Sequence, residues 1–126
     1  MPLILWIAAG GAIGSSLRHL LNVLIGRAMG DAFPWHTLII NVSGSFIMGA
    51  IIALMALKWN VTNELRAFLT TGILGGYTTF SAFSLDFATL VERKAYGLAG
   101  AYAAGSVILS LIAVFAGLAL IRTAFA

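Results

Sequence analysis

Uncharged hydrogen-bonding side chains recur at helical spacing in a chain that is otherwise strongly apolar. Tyr102, Ser106 and Ser110 stand four residues apart, and so do Thr37, Asn41 and Ser45. Each trio therefore shares one face of a helix. Asn41 is the costly member in an apolar setting, because its amide brings two donors and a carbonyl acceptor. Such stripes serve either as glue between helices or as a hydrogen-bonding path for a small solute. Hydroxyl and amide donors without charge suit a narrow anion route, whereas a cation route more usually shows buried Asp or Glu.

The run from Thr70 to Ser84 is the least ordinary. It contains Gly75, Gly76, Tyr77, Thr78 and Thr79 in succession, and Gly and β-branched residues are weak helix formers. The run predicts a helix broken over residues 75–81. A break inside a membrane frees backbone amides and carbonyls, which are tolerated only where protein or a cavity satisfies them. Free carbonyls of this kind often bind cations. Phe80 and Phe83 follow on one face, and the electropositive edges of their rings could touch an anion while excluding water. Paired phenylalanines are also ordinary core. Arg18 lies well inside an apolar run, with Asn22 one turn later. It either reaches the interface by its long stem or draws anions into a vestibule. His19 reads as a wet interfacial residue, since no second metal ligand stands near it. Asp86 is a lone carboxylate close to Arg93 and Lys94. There is no cysteine, no nucleophile–base pair and no cofactor motif, so the chain is not expected to be an enzyme. No carboxylate lies deep in an apolar run, which argues against proton coupling.

The elements that carry these residues follow from the composition. Of 126 residues, 61% are hydrophobic and 9% charged, against roughly 25% charged in soluble domains. Eleven charges cannot cover a water-facing surface. Disorder is excluded by the same figures. Nucleic acid is not an expected partner, because the net charge is only +3 and the basic residues form no patch. The expectation is an all-α integral membrane protein in the lipid bilayer. The charges leave four long apolar runs, read as four transmembrane helices at about residues 3–26, 35–57, 63–91 and 95–121 of one domain, 1–126. A β-barrel would alternate in segments of about 10 residues, and these runs do not. Gly10 and Gly14 form a close-packing motif. Gly97, Ala101 and Gly105 give a seam of small residues beside the Tyr102 stripe.

Four spans place Lys58, Arg66 and Arg122 on one side and Arg27, Arg93 and Lys94 on the other. Three against three gives no positive-inside bias, and counting Arg18 tips it only to four. Either a weak bias still picks one orientation, or the chain inserts both ways round. One four-helix bundle has its centre filled by side chains, so a transport path implies a homo-oligomer.

Three stretches taken together resemble the CrcB/Fluc family of fluoride channels. They are Gly10 to Arg18, Thr37 to Phe46, and Gly72 to Ser84 with its Gly-Gly-Tyr-Thr-Thr-Phe-Ser-x-Phe element. The resemblance covers the whole chain, and the third stretch is its specific part. It implies an antiparallel, dual-topology homodimer in the bacterial cytoplasmic (inner) membrane. It also implies passive export of fluoride, which lowers its toxicity. The implied fluoride pathway comprises Phe80 and Phe83, Asn41, and a polar track of Tyr102, Ser106 and Ser110 that Thr37 joins. Arg18 matches an arginine near the aqueous vestibule. A structural sodium ion is implied at the dimer interface, held by backbone carbonyls of Gly75 and Thr78. Ser15 stands where alanine is frequent, and His19 where an aromatic is.

Two other readings have distinct requirements. A small multidrug-type proton-coupled antiporter has similar length and topology, but needs a carboxylate in the first span, which is absent. A non-transporting structural subunit would use the stripes as packing glue, and a broken third span does not suit it.

Overall fold

The computed structural model describes residues 2–30 and 32–125. Residues 1, 31 and 126, among them the acidic Asp31, lie outside the described residues. Every regular element among the described residues is helical. Helix α1 spans Leu3–Met29 and α2 spans Trp35–Leu57. A short α3, Asn63–Ala67, runs into a π-helical stretch, Phe68–Leu74, and a single turn, α4, Gly75–Tyr77. Helix α5 covers Phe80–Glu92 and α6 covers Tyr96–Phe125. Three of these, α1, α2 and α6, are long and apolar enough to cross a membrane.

The helix ends follow local chemistry. Pro2 and Pro34 precede α1 and α2, where a missing N–H costs nothing. Helix α1 stops at Gly30, whose φ of 78° turns the chain and whose N–H closes on the Gly26 carbonyl. Thr62 caps α3 by accepting the Leu65 N–H at 3.2 Å. Between α5 and α6, Lys94 takes φ 60°, and the Ala95 N–H returns to the Leu90 carbonyl at 2.9 Å.

Glycines decide how closely the helices approach. Gly49 on α2 faces the Val114 carbonyl of α6, and Gly117 on α6 faces the Phe46 carbonyl of α2. A Cβ at either position would collide with backbone, so these two helices lie in direct contact. The Gly10–Gly14 motif meets the third segment instead. A Cβ on Gly10 would strike the Phe68 carbonyl, and one on Gly14 the Ile73 carbonyl. Both partners belong to the π-helical stretch. A Cβ added on Gly97 or Gly105 would meet nothing within 4 Å among the described residues, and Ala101 is exposed. The small-residue seam of α6 thus leaves open room beside it among the described residues.

The interior is small. Ile40 and Tyr102 are fully buried and Leu90 nearly so. One cluster gathers Leu38, Leu90, Ala99 and Tyr102, and a second gathers Ile40, Leu74 and Tyr77. Helix α2 contributes to both and is the central element. Large apolar side chains on α1 and α6, such as Leu20, Ile112 and Phe115, are exposed, the arrangement of helices that meet hydrocarbon rather than water.

Candidate functional site

The candidate site forms where the third segment loses its helix. Thr78 and Thr79 are extended, with ψ of 155° and 120°. Asn41 on α2 grips this break on both sides of one residue. Its Nδ2 donates to the Thr79 carbonyl at 3.1 Å, and its Oδ1 accepts the Thr79 N–H at 2.8 Å. The pair fixes which end of the amide is which, since the Thr79 N–H can only donate. One hydrogen on Nδ2 stays uncommitted to Thr79. Gly44, one turn further along α2, provides the room: a Cβ there would strike the Thr78 methyl group.

The break also starts a new helix. The Thr79 hydroxyl accepts the Ala82 N–H at 3.1 Å and so caps α5. The first N–H groups of α5 lack intrahelical partners and carry the positive end of its dipole. Thr78 turns its hydroxyl back to the Leu74 carbonyl at 2.9 Å. Tyr77 reaches Ser43 on α2, with 2.9 Å between the hydroxyl oxygens. Arg18, half-buried on α1, donates its Nε–H to the Gly76 carbonyl at 3.1 Å.

A cleft of about 440 Å³ opens beside the break. Asn41, Phe80, Phe83, Ser106 and Ser110 all line it, together with Ser45, Thr78 and Thr79. No ionisable side chain lines it among the described residues. Five of the expected pathway residues are therefore neighbours, although they come from α2, α5 and α6. The rings of Phe80 and Phe83 lie 5.4 Å apart, tilted by 46°. Phe80 is 77% exposed, so a single chain does not enclose it. The Ser106 hydroxyl oxygen is buried and has no hydrogen-bond partner among the described residues. A hydroxyl so placed costs free energy unless a ligand or water satisfies it.

Thr37 and Tyr102 do not line this cleft. They sit one turn back on the same two helices, both buried. The Tyr102 phenol donates to Asp86 Oδ2 at 3.1 Å. Its ring lies 5.2 Å from that of Phe83 and meets the edge of Phe33 at 5.5 Å. Tyr102 therefore backs Phe83 and joins it to the carboxylate. Asp86, expected at the membrane surface near Arg93 and Lys94, is half-buried and carries this contact. Sequence reasoning missed both Asp86 as a partner of Tyr102 and Thr79 as the residue Asn41 holds. The four-residue spacing of Asp86 from Ala82 and Leu90 places it on α5, but nothing in the spacing says which helix faces it.

Gly75 and Thr78, the two residues expected to offer carbonyls to sodium, are the first residue of α4 and the residue that follows its end. The Thr79 N–H, which an unbroken helix would give to the Gly75 carbonyl, goes to Asn41 instead. Among the described residues no cluster of His, Cys, Asp or Glu could hold a metal.

The sequence matches the family described as CrcB-like protein, Camphor Resistance (CrcB), over residues 5–118. A fluoride-specific ion channel FluC of Rhodospirillum centenum is 56% identical over 126 residues, the whole of both chains. The protein of that name from Rhodopseudomonas palustris is 58% identical over 113 residues, covering 90% of this chain and 91% of its own. Fluoride-specific ion channel FluC 2 of Nitrobacter hamburgensis is 51% identical over 118 residues, covering 94% of this chain and 95% of its own.

Proposed function

The chain belongs to the CrcB-like family, and on that premise we propose that it is a passive fluoride-selective channel that exports fluoride from the cytoplasm. The observation that carries the reading is the uncharged cleft with the unpartnered Ser106 hydroxyl. Fluoride is small and strongly hydrated, so a selective path must replace water by other donors. Ser106 offers an O–H, Asn41 its second Nδ2 hydrogen, and Phe80 and Phe83 their electropositive ring edges. The amino end of α5 adds a favourable field. None of these is a full positive charge. An ion held by weak donors at several places can also leave, which conduction requires. No ionisable side chain lines the cleft among the described residues, which fits passive flow. The chain is a transporter and not an enzyme.

The third segment, residues 63–92, crosses the membrane as a fourth span broken at Thr78 and Thr79. Two copies pair in opposite orientation. Three features support this: the even division of basic residues, the exposed Phe80, and the open seam of Gly97, Ala101 and Gly105. Carbonyls of Gly75 and Thr78 from both copies hold a structural sodium ion at their interface. The setting is the bacterial inner membrane, where export from the cytoplasm has its effect.

Bacteria stripped of their own fluoride export and expressing this chain are expected to grow in fluoride that arrests their parent. Failure to grow with the protein present in the membrane contradicts the reading. In detergent containing sodium, the protein is expected at twice the 13.2 kDa chain mass. Exchange of sodium for potassium is expected to loosen that dimer, and a monomer in both buffers would contradict the paired arrangement.

A further inference from the structure

The Gly76 carbonyl is the last one before the break that a side chain from another helix reaches. In an unbroken helix it would accept the N–H of Phe80. The extended residues Thr78 and Thr79 remove that donor. A carbonyl left so within a membrane needs another partner. Arg18 supplies it, through Nε rather than through the end of the guanidinium, at 3.1 Å across 58 residues of sequence. The surroundings hold the carbonyl in place. A Cβ on Gly76 would lie 2.8 Å from the Gly11 carbonyl, so α1 and α4 touch at backbone. On the far side of the break, Asn41 holds Thr79 from α2. Two helices thus grip the two sides of one two-residue gap, and α5, with Phe80 at its first position, hangs from it.

We propose that Arg18 is a positioning residue that acts through its Nε–H bond to Gly76, setting where Thr79, Phe80 and the start of α5 stand, and that its positive charge is not what conduction needs. This rests on the channel reading above.

Chain geometry separates the two contributions. Glutamine Nε2 lies as many bonds from Cα as arginine Nε, so Arg18→Gln keeps the donor and removes the charge. Arg18→Lys keeps the charge and puts a methylene where Nε was. Arg18→Met keeps neither. In proteoliposomes, Arg18→Gln is expected to conduct fluoride within about threefold of the unaltered protein, while Arg18→Lys and Arg18→Met fall about tenfold, the loss of one part-buried hydrogen bond. If Arg18→Lys conducts normally and Arg18→Gln falls with Arg18→Met, the charge is what matters and the proposal is overturned. Equal flux in all three overturns it as well.

A second readout does not use flux. The sequence holds a single Gly–Tyr step, Gly76–Tyr77, so 13C-carbonyl glycine with 15N-tyrosine marks the Gly76 carbonyl alone. Its resonance is expected to keep its hydrogen-bonded position in Arg18→Gln and to move in Arg18→Lys and Arg18→Met. With 15Nε-arginine in the unaltered protein, magnetisation is expected to pass between Arg18 and this carbonyl, and absence of transfer overturns the proposal even if the variants fail to assemble. An unaltered protein that shows the contact but carries no fluoride would instead contradict the channel reading alone.

Discussion

Replacing Phe83 by isoleucine is expected to lower fluoride flux about a hundredfold, equivalent to about 2.7 kcal/mol at the barrier. Phe83 is half-buried and lies between two rings, Phe80 at 5.4 Å and Tyr102 at 5.2 Å. Its position in the cleft is therefore fixed on both sides. An aromatic edge turned toward a dehydrated anion supplies positive potential. Isoleucine fills a similar space and supplies none. The isoleucine variant is expected to assemble normally, because Tyr102 stays anchored by Asp86. Phe80→Ile is expected to act in the same direction, since that ring also lines the cleft. Flux is read by electrode after reconstitution, with assembly checked by the mass of the purified protein. Normal flux in both variants would remove the rings from the account.

Asn41→Asp is expected to reduce flux at least about tenfold at neutral pH, for two reasons that act together. A carboxylate oxygen can still accept the Thr79 N–H. The other oxygen then faces the Thr79 carbonyl, where Nδ2 donated at 3.1 Å, and two acceptors repel. The clamp on the break is weakened. The carboxylate also places a negative charge in a cleft that otherwise has none among the described residues, and like charges in a poorly hydrated space disfavour each other strongly. Comparison with Asn41→Ala separates the two effects, because alanine loses the clamp without adding charge. Asn41→Asp is expected to be the poorer conductor. Full conduction by Asn41→Asp would mean that Asn41 does no more than pack.

Much of the architecture was legible because charge is so scarce here. A run without an ionised residue contains α2 and another covers most of α6, while α1 carries Arg18 and Arg27 inside it, and chain chemistry marks several of the helix ends. Helix α1 illustrates the limit. Gly26 interrupts the apolar run, yet the helix continues to Met29 and stops at Gly30, where the backbone takes a positive φ. A glycine with open space around it is tolerated inside a helix, and local sequence does not tell the two glycines apart. The π-helical stretch Phe68–Leu74 was not legible at all. Its contacts with Gly10 and Gly14 are made to backbone carbonyls, and no side-chain pattern records them. Of residues 75–81, expected to break the helix, Gly75–Tyr77 form a helical turn and α5 begins at Phe80, so only Thr78 and Thr79 are extended.

The site was legible residue by residue and not as a set of partners. Spacing of four put Ser106 with Ser110, and Asn41 with Ser45. It also put Thr37 and Tyr102 on those stripes, but the cleft begins one turn beyond them. Spacing within a helix says which residues share a face, not where along that face a neighbour withdraws. The bonds that matter most join distant positions. Asn41 meets Thr79 across 38 residues, Arg18 meets Gly76 across 58, and Tyr102 meets Asp86 across 16. Each depends on which helices adjoin, and for Arg18 and Gly76 close packing of Gly76 against the backbone of α1 settles that.

The central claim is that this chain conducts fluoride passively and rejects other halides. The direct measurement is efflux from proteoliposomes loaded with potassium fluoride, read by a fluoride electrode after a potassium ionophore is added, beside vesicles loaded with chloride. Rapid fluoride release driven by the potential, with chloride retained, is the predicted result. Retention of fluoride by vesicles that contain well-assembled protein, or equal release of both ions, would contradict it.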